Sequence, residues 1–368
     1  MIEAIGFYGM GLSLLVHVIF VSITIGVGLI TAIYRWYGYK RNDRYYENFA
    51  KKGFRLMVIS ELFSGVWGTI ITVFLAGLFP ALMALATNVL FVPLLIALIG
   101  IMIRIPSIAI FWYTWNKVSP KIHSYIGFVM AASGFLIPFG FRAVFSEINY
   151  PVAIASYIST GIVSPFEAFI SPLFWVFYAH TVFSALSVGG FVIASLMSIE
   201  DDIRGVEIGI KYGFAFLILN FLFGMFYWLF LGSFSPYIYN AVTVGTYAPL
   251  FVLKLLLIFL LFFIVVNANS AILSGKVHQH TKYAAPVSLL IAVIGEFMNG
   301  GARYPYMVVL GGDGIEISSF FNYYIHIPEY LLLVLIAVLL AAIVVFLLAA
   351  SYALIKRYLD IPVAEEAS

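Results

Sequence analysis

Nine uninterrupted apolar runs divide this sequence: residues 5–34, 56–78, 89–115, 124–145, 172–198, 209–231, 248–269, 284–300 and 328–358. Each is long enough to cross a bilayer as a helix. In hydrocarbon every backbone N–H and C=O must be satisfied within the protein, so only helices or closed barrels can span it. Barrel strands would alternate in polarity over about 10 residues, and no such segments occur here. The expected fold is therefore all-α, a polytopic nine-helix transmembrane bundle forming one domain over residues 1–368, multi-pass in the cell membrane. Composition agrees, with 63% apolar and 10% charged side chains, where a soluble domain has roughly 25% charged. Nineteen basic against seventeen acidic residues, net +2, are too few for a nucleic-acid-binding surface. Cysteine is absent, which excludes disulfides and thiolate metal sites.

Orientation follows from where the cations lie. Arg35, Lys40, Arg41, Arg44, Lys51, Lys52, Arg55, Lys117, Lys121, Arg204, Lys211, Lys276, Lys282, Lys356 and Arg357 all fall in connections on one side. The sequence thus predicts an external N-terminus and a cytoplasmic C-terminus. The first run is too long, and lacks the basic flank, for a cleavable signal. The opposite connections carry Glu147, Glu167, Asp313, Glu316 and Glu329 among many aromatics.

Four cations remain, Arg104, Arg142, Lys254 and Arg303, within runs or at their outer ends. An intramembrane charge costs several kcal/mol, so such groups are functional candidates whose partners must be named. Glu61 in the second run, Arg104 in the third and Glu296 in the eighth qualify. Either Glu61 or Glu296 pairs with Arg104 structurally, or these groups serve a cofactor or a proton path. Two histidines, His17 in the first run and His180 in the fifth, are intramembrane; neutral imidazole packs into cores and is also the usual axial ligand of haem iron. His123, His278 and His280 flank basic connections and are expected to be solvated. His326 precedes the ninth run beside Tyr323 and Tyr324 and fits either role.

Several segments carry a family resemblance. His17-Val-Ile-Phe-Val-Ser-Ile-Thr-Ile-Gly26 resembles the start of subunit I of the cytochrome bd quinol oxidases. In the same order, Ser171-Pro-Leu-Phe-Trp-Val-Phe-Tyr-Ala-His180 is similar to the family's low-spin haem helix, Tyr247-Ala-Pro-Leu-Phe-Val-Leu-Lys254 to its seventh helix, and Ala302-Arg303-Tyr304-Pro305-Tyr306 to its Gly-Arg-Gln-Pro-Trp. The resemblance covers residues 10–310 and implies a haem-binding subunit that oxidises quinol at the outer face and reduces dioxygen, with protons drawn from the cytoplasm. It implies His17 and His180 as haem ligands, Glu296 as a ligand or neighbour of a high-spin haem b, and Lys254 and Arg303 as propionate partners. Haem b, with haem d as a further possibility, would be the cofactors. The partners would be a second membrane subunit (subunit II-like or a paralogue of this chain) and small single-helix subunits. Glu61, Arg104 and Glu296 are then the candidates for catalytic proton handling.

The departures from the family pattern are specific. Its methionine ligand falls on Leu256, leaving Met225 as a substitute; its third-helix carboxylates fall on Ala97 and Ile105; its glutamate ligand falls on Gly300, with Glu296 one turn earlier; and its long quinol loop shrinks to residues 232–247. These losses point to the alternative of a non-catalytic paralogous partner subunit. Separately, the absence of Cys and the single Gln, Gln279, suggest a thermophile's depletion of labile residues. A transporter using Glu61, Arg104 and Glu296 is the third reading, for which inverted repeats or broken helices would be expected.

Overall fold

The computed structural model describes residues 2–321 and, beyond them, scattered helical residues between 330 and 348. Along residues 2–321 eleven α-helices follow one another: α1 (Ile2–Arg41), α2 (Arg44–Leu78), α3 (Pro80–Val89), α4 (Phe91–Tyr113), α5 (Pro120–Asn149), α6 (Ala153–Thr160), α7 (Pro172–Ile199), α8 (Ile203–Phe234), α9 (Pro236–Thr243), α10 (Ala248–Leu273) and α11 (Ala284–Gly301). Eight of them, α1, α2, α4, α5, α7, α8, α10 and α11, are long and apolar enough to cross a membrane. They match the first eight runs of the sequence. Most of the ninth run, with Glu329, Lys356 and Arg357, and His326 before it lie outside the described residues.

α7 occupies the middle, and from Ala185 to Met197 every residue on it is buried. A helix apolar on all faces must be enclosed on all faces. Its contact with α1 is made backbone to backbone: a Cβ on Gly189 would lie 2.4 Å from Gly26 Cα, so glycine is required at that crossing. α10 lies at the periphery and exposes Leu256, Phe259, Phe263 and Val266.

Basic connections gather at one end. Asp43 caps α2 by accepting from Tyr45 N at 2.8 Å and meets Arg204 at 2.6 Å, while Tyr45 Oη donates to Asp202, the N-cap of α8. The α1–α2 and α7–α8 turns pass through Asn42 and Asp201 with positive φ, which Asn and Asp tolerate.

Several expectations are corrected at both ends. Arg35 and His123 are buried, not solvated. Arg35 Nε donates to His123 Nδ1 at 2.8 Å and Nη1 reaches Glu47 at 3.0 Å, while His123 Nε2 lies 2.8 Å from the Phe111 carbonyl. Burial there is tolerable because every charge and ring nitrogen is matched. Glu147 is also buried rather than in a wet loop; its carboxylate accepts from Val152 N and Ile154 N and so closes the turn into α6. The second run begins earlier than expected, at Arg44, and the third starts at Phe91 behind the short α3. Residues 232–247 hold α9, and a hairpin of β1 (Tyr306–Leu310) and β2 (Asp313–Glu316) interrupts the otherwise helical chain. That hairpin docks on α9, with Tyr237 N donating to Gly311 O at 3.3 Å.

Candidate functional site

The intramembrane polar residues fall into two groups. In the first, α1, α2 and α4 meet at Arg104, which is 1% exposed. Its Nε donates to Glu61 Oε1 at 2.9 Å, Nη2 to Glu61 Oε2 at 2.8 Å and to Thr24 Oγ1, and Nη1 to the Met130 carbonyl at 3.0 Å. Thr24 Oγ1 in turn donates to Glu61. Gly134 leaves room for the guanidinium, since a Cβ there would come within 2.5 Å of Nη1. Of the two carboxylates that the sequence offers Arg104, the structure selects Glu61.

Glu296 instead pairs with Arg142 of α5, whose Nη1 and Nη2 reach its two oxygens at 3.2 and 3.0 Å. Sequence reasoning noted Arg142 as a cation needing a partner and gave it none; no spacing rule joins residues 154 positions apart.

That pair lies on the wall of a cavity of about 240 Å³ between α7, α8, α10 and α11, capped by α9. Such a volume takes an organic ligand, where a single water needs only about 10–15 Å³. His180, Lys254, Glu296, Asn220, Tyr227 and Asn299 line it amid an apolar and aromatic majority. His180 Nδ1 lies 3.0 Å from the Asn220 carbonyl of α8, so this nitrogen carries the proton and Nε2 is left as the ligating one. Gly224 seats the ring: a Cβ would approach Cε1 to 2.8 Å.

Arg303, buried at the end of α11, donates from Nη1 to Asn149 Oδ1 at 3.1 Å. Asn149 Nδ2 donates to Tyr227 Oη at 2.9 Å and to Asn299 Oδ1 at 3.1 Å, tying Arg303 to the cavity wall. Arg303 Nε, Asn299 Nδ2 and Asn220 Oδ1 are buried without a protein partner among the described residues. Lys254 likewise has no carboxylate within ion-pair distance among them.

His17 does not itself line this cavity, although Val18 beside it does. Its Nδ1 lies 2.9 Å from the Ser64 carbonyl of α2, over Gly68, which repeats the arrangement at His180. Among the described residues no three His, Asp or Glu side chains are placed to share one metal ion, so His17, His180 and Glu296 do not form a joint centre. The donor set fits haem rather than a bare metal: imidazoles oriented through Nδ1, an apolar cavity, and unpaired cations with orphaned donors at its edge for two carboxylates.

The fold and these buried groups define a polytopic α-helical membrane protein with an apolar, polar-edged cavity among its spans. Residues 8–237 match the family model for cytochrome bd terminal oxidase subunit I, and the chain belongs to that family. A relative in Bacillus subtilis (strain 168), "Putative cytochrome bd menaquinol oxidase subunit I", is 25% identical over 193 residues, 49% of this chain; the match spans 41% of that protein's length. The bd oxidase of Geobacillus thermodenitrificans has the same fold, with TM-score 0.81 and 18% identity over 98% of this chain and 99% of its own. His17, Glu61, Arg104, Arg142 and His180 fall inside the family match, whereas Lys254, Glu296 and Arg303 lie beyond it.

Proposed function

We propose that this chain is a haem-carrying membrane subunit of a bd-type quinol:dioxygen oxidoreductase. The observation that carries the reading is the charge balance around the cavity. Among the described residues Glu296 is the single carboxylate near Arg142 and Lys254 on the cavity wall and Arg303 behind it, leaving two cations uncompensated in a low-dielectric setting. Two buried unpaired cations are costly, and the two propionates of a haem would neutralise both. Arg303 binds one propionate and Lys254 the other, while His180 Nε2 ligates the iron and Glu296 stays paired beside it. His17 holds a second haem on α1, of b or d type. A bound haem supplies a one-electron redox centre. The surrounding protein orients it through Asn220, excludes water with its apolar lining and fixes its carboxylates.

In this reading the whole of residues 1–368 forms one nine-helix domain, with the N-terminus outside and the basic end in the cytoplasm. Quinol, menaquinol by likeness to the Bacillus relative, is the reductant and dioxygen the oxidant. A second membrane subunit and small single-helix subunits complete the assembly. A reduced-minus-oxidised spectrum of the purified chain, with pyridine haemochrome analysis, tests the core of it; a chain free of haem refutes it.

One observation favours a second reading, a haem-carrying partner without turnover of its own. Oxygen reduction needs a protonatable route through hydrocarbon, and Glu61 and Glu296 are each held in an arginine pair. Both carboxylates are thereby committed to guanidinium contacts rather than standing free along a path. Quinol-driven oxygen uptake by the complex with Glu61→Gln and Glu296→Gln decides between the two.

A further inference from the structure

The cations of the basic end are not evenly matched by acids. Among the described residues, the acidic side chains there sit on two turns: Asp43 and Glu47 where α1 meets α2, and Glu200, Asp201, Asp202 and Glu207 where α7 meets α8. They hold cations in the pairs Arg35–Glu47 at 3.0 Å, Arg204–Asp43 at 2.6 Å, and Lys52–Glu200 and Lys211–Glu207 at 2.5 Å. The α4–α5 side differs. From residue 62 to residue 146 the sequence has no Asp or Glu. Lys117 and Lys121, and Lys40 at the end of α1, have no carboxylate within ion-pair distance among the described residues.

Aromatic rings tie these lysines to a crevice between α1 and α5. Lys40 Nζ lies over the Trp36 ring at 5.0 Å and over Tyr39 at 5.9 Å, and Trp36 meets Tyr125 at 5.7 Å and Phe128 at 6.3 Å. As first and fourth spans, α1 and α5 run in opposite directions. Lys40 therefore follows Trp36 by one turn while Lys121 precedes Tyr125 by one turn, which places the two lysines at the same level on either side of the crevice mouth. Deeper in, α5 exposes Tyr125, Val129 and Leu136, spaced to share one face.

Cations at the mouth, amphipathic rings below them and an apolar stripe beyond match the headgroup, interfacial and acyl zones of a membrane phospholipid. The charge is selective. No acid stands here to pair with a choline ammonium, and Trp36, which could otherwise stack on one, already carries Lys40. We infer that the crevice between α1 and α5 binds one anionic phospholipid, its headgroup between Lys40 and Lys121 and an acyl chain along the α5 stripe. The site is separate from the haem-carrying reading, which none of the results below touches.

The experiment is native mass spectrometry of the purified full chain in detergent, with equal amounts of phosphatidylglycerol and phosphatidylcholine of identical acyl chains. The wild type should retain phosphatidylglycerol in preference. Lys40→Gln/Lys121→Gln should weaken that retention by roughly 10- to 30-fold, the contribution of two lysines at an anionic interface. Lys276→Gln/Lys282→Gln, which removes the same charge from the α10–α11 connection, should leave it unchanged. All four lysines are exposed, so the variants keep the fold. Inorganic phosphate should not compete, because it has no chain to lay on α5.

Equal retention of the two lipids by the wild type overturns the inference. So does equal loss in the two double variants, which would reduce the effect to the general attraction of a basic end. Displacement of the lipid by inorganic phosphate overturns it as well, leaving a plain anion site. If the wild type retains neither lipid, the inference falls and the lysines are left to an acidic segment of a partner protein.

Discussion

Arg104 grips Glu61 with Nε on one carboxylate oxygen and Nη2 on the other, at 2.9 and 2.8 Å, inside the membrane-spanning part of the bundle. This is a side-on, two-point contact between planar groups, and Thr24 and the Met130 carbonyl take up further guanidinium donors. A pair so completely satisfied joins α1, α2, α4 and α5 through one side chain.

Breaking it from one side should be expensive. Glu61→Leu leaves a buried guanidinium without its counter-ion, a loss of about 3–5 kcal/mol. The double variant Glu61→Leu/Arg104→Leu should recover much of that, because no orphaned charge remains. Thermal unfolding in detergent of the single and double variants checks it; equal melting points for wild type and Glu61→Leu would deny the pair any structural role.

His17→Ala and His180→Ala should each remove a different component of the reduced-minus-oxidised spectrum while the chain still inserts. The reason is the shared arrangement of Nδ1 on a neighbouring helix's carbonyl with glycine beneath the ring. Identical spectra in wild type and both variants would remove haem from the account.

Arg303→Lys should keep part of the haem, whereas Arg303→Leu should keep less, because the leucine removes the charge as well as the fork that holds Asn149. Haem-to-protein ratio by pyridine haemochrome is the measurement, and equal content in the two variants would make Arg303 purely structural.

In the complex, Glu61→Gln or Glu296→Gln should lower quinol-driven oxygen consumption by about 10²-fold if the carboxylate carries protons. Full activity in both variants, with haem retained, assigns turnover to a partner subunit.

At the basic end, the Arg204 guanidinium and then the Tyr45 N–H hold the Asp43 carboxyl below the usual carboxylate range. A depressed carboxylate contributes stability above its ordinary pKa, and that contribution fades as pH falls through the native value. Melting temperature should therefore drop on acidification below about pH 4 by more in the wild type than in Asp43→Asn. The difference should be small, because the pair is exposed.

How much of this was legible beforehand depends on the range of each signal. The first eight spans are visible because hydrophobic length is local, and His17, His180, Glu61, Arg104 and Glu296 stand out because a polar residue in an apolar run needs a reason. Partnership was not visible. Arg142 finds Glu296, and Asn149 finds Arg303, through helix packing alone. His123 misled for the opposite reason: it lies beside a basic connection, yet Phe111, Trp115 and Arg35 fold over it. The hairpin at Tyr306–Glu316 was missed although Gly311-Gly-Asp-Gly314 between two short extended segments is a turn signal, because the segments are short and stand next to long helical runs.

Under the proposed haem-carrying reading, the glycine crossing of α1 and α7 bears on electron transfer. His17 and His180 stand on those two helices, and at Gly26 and Gly189 the helices touch with no side chain between them. Their separation there is set by the thickness of two peptide backbones, a quantity that rotamer changes cannot alter. Warming a protein first loosens side chains, so the spacing between redox centres on the two imidazoles would stay nearly constant as temperature rises. Tunnelling rates, which fall steeply with distance, would keep their value across the same range.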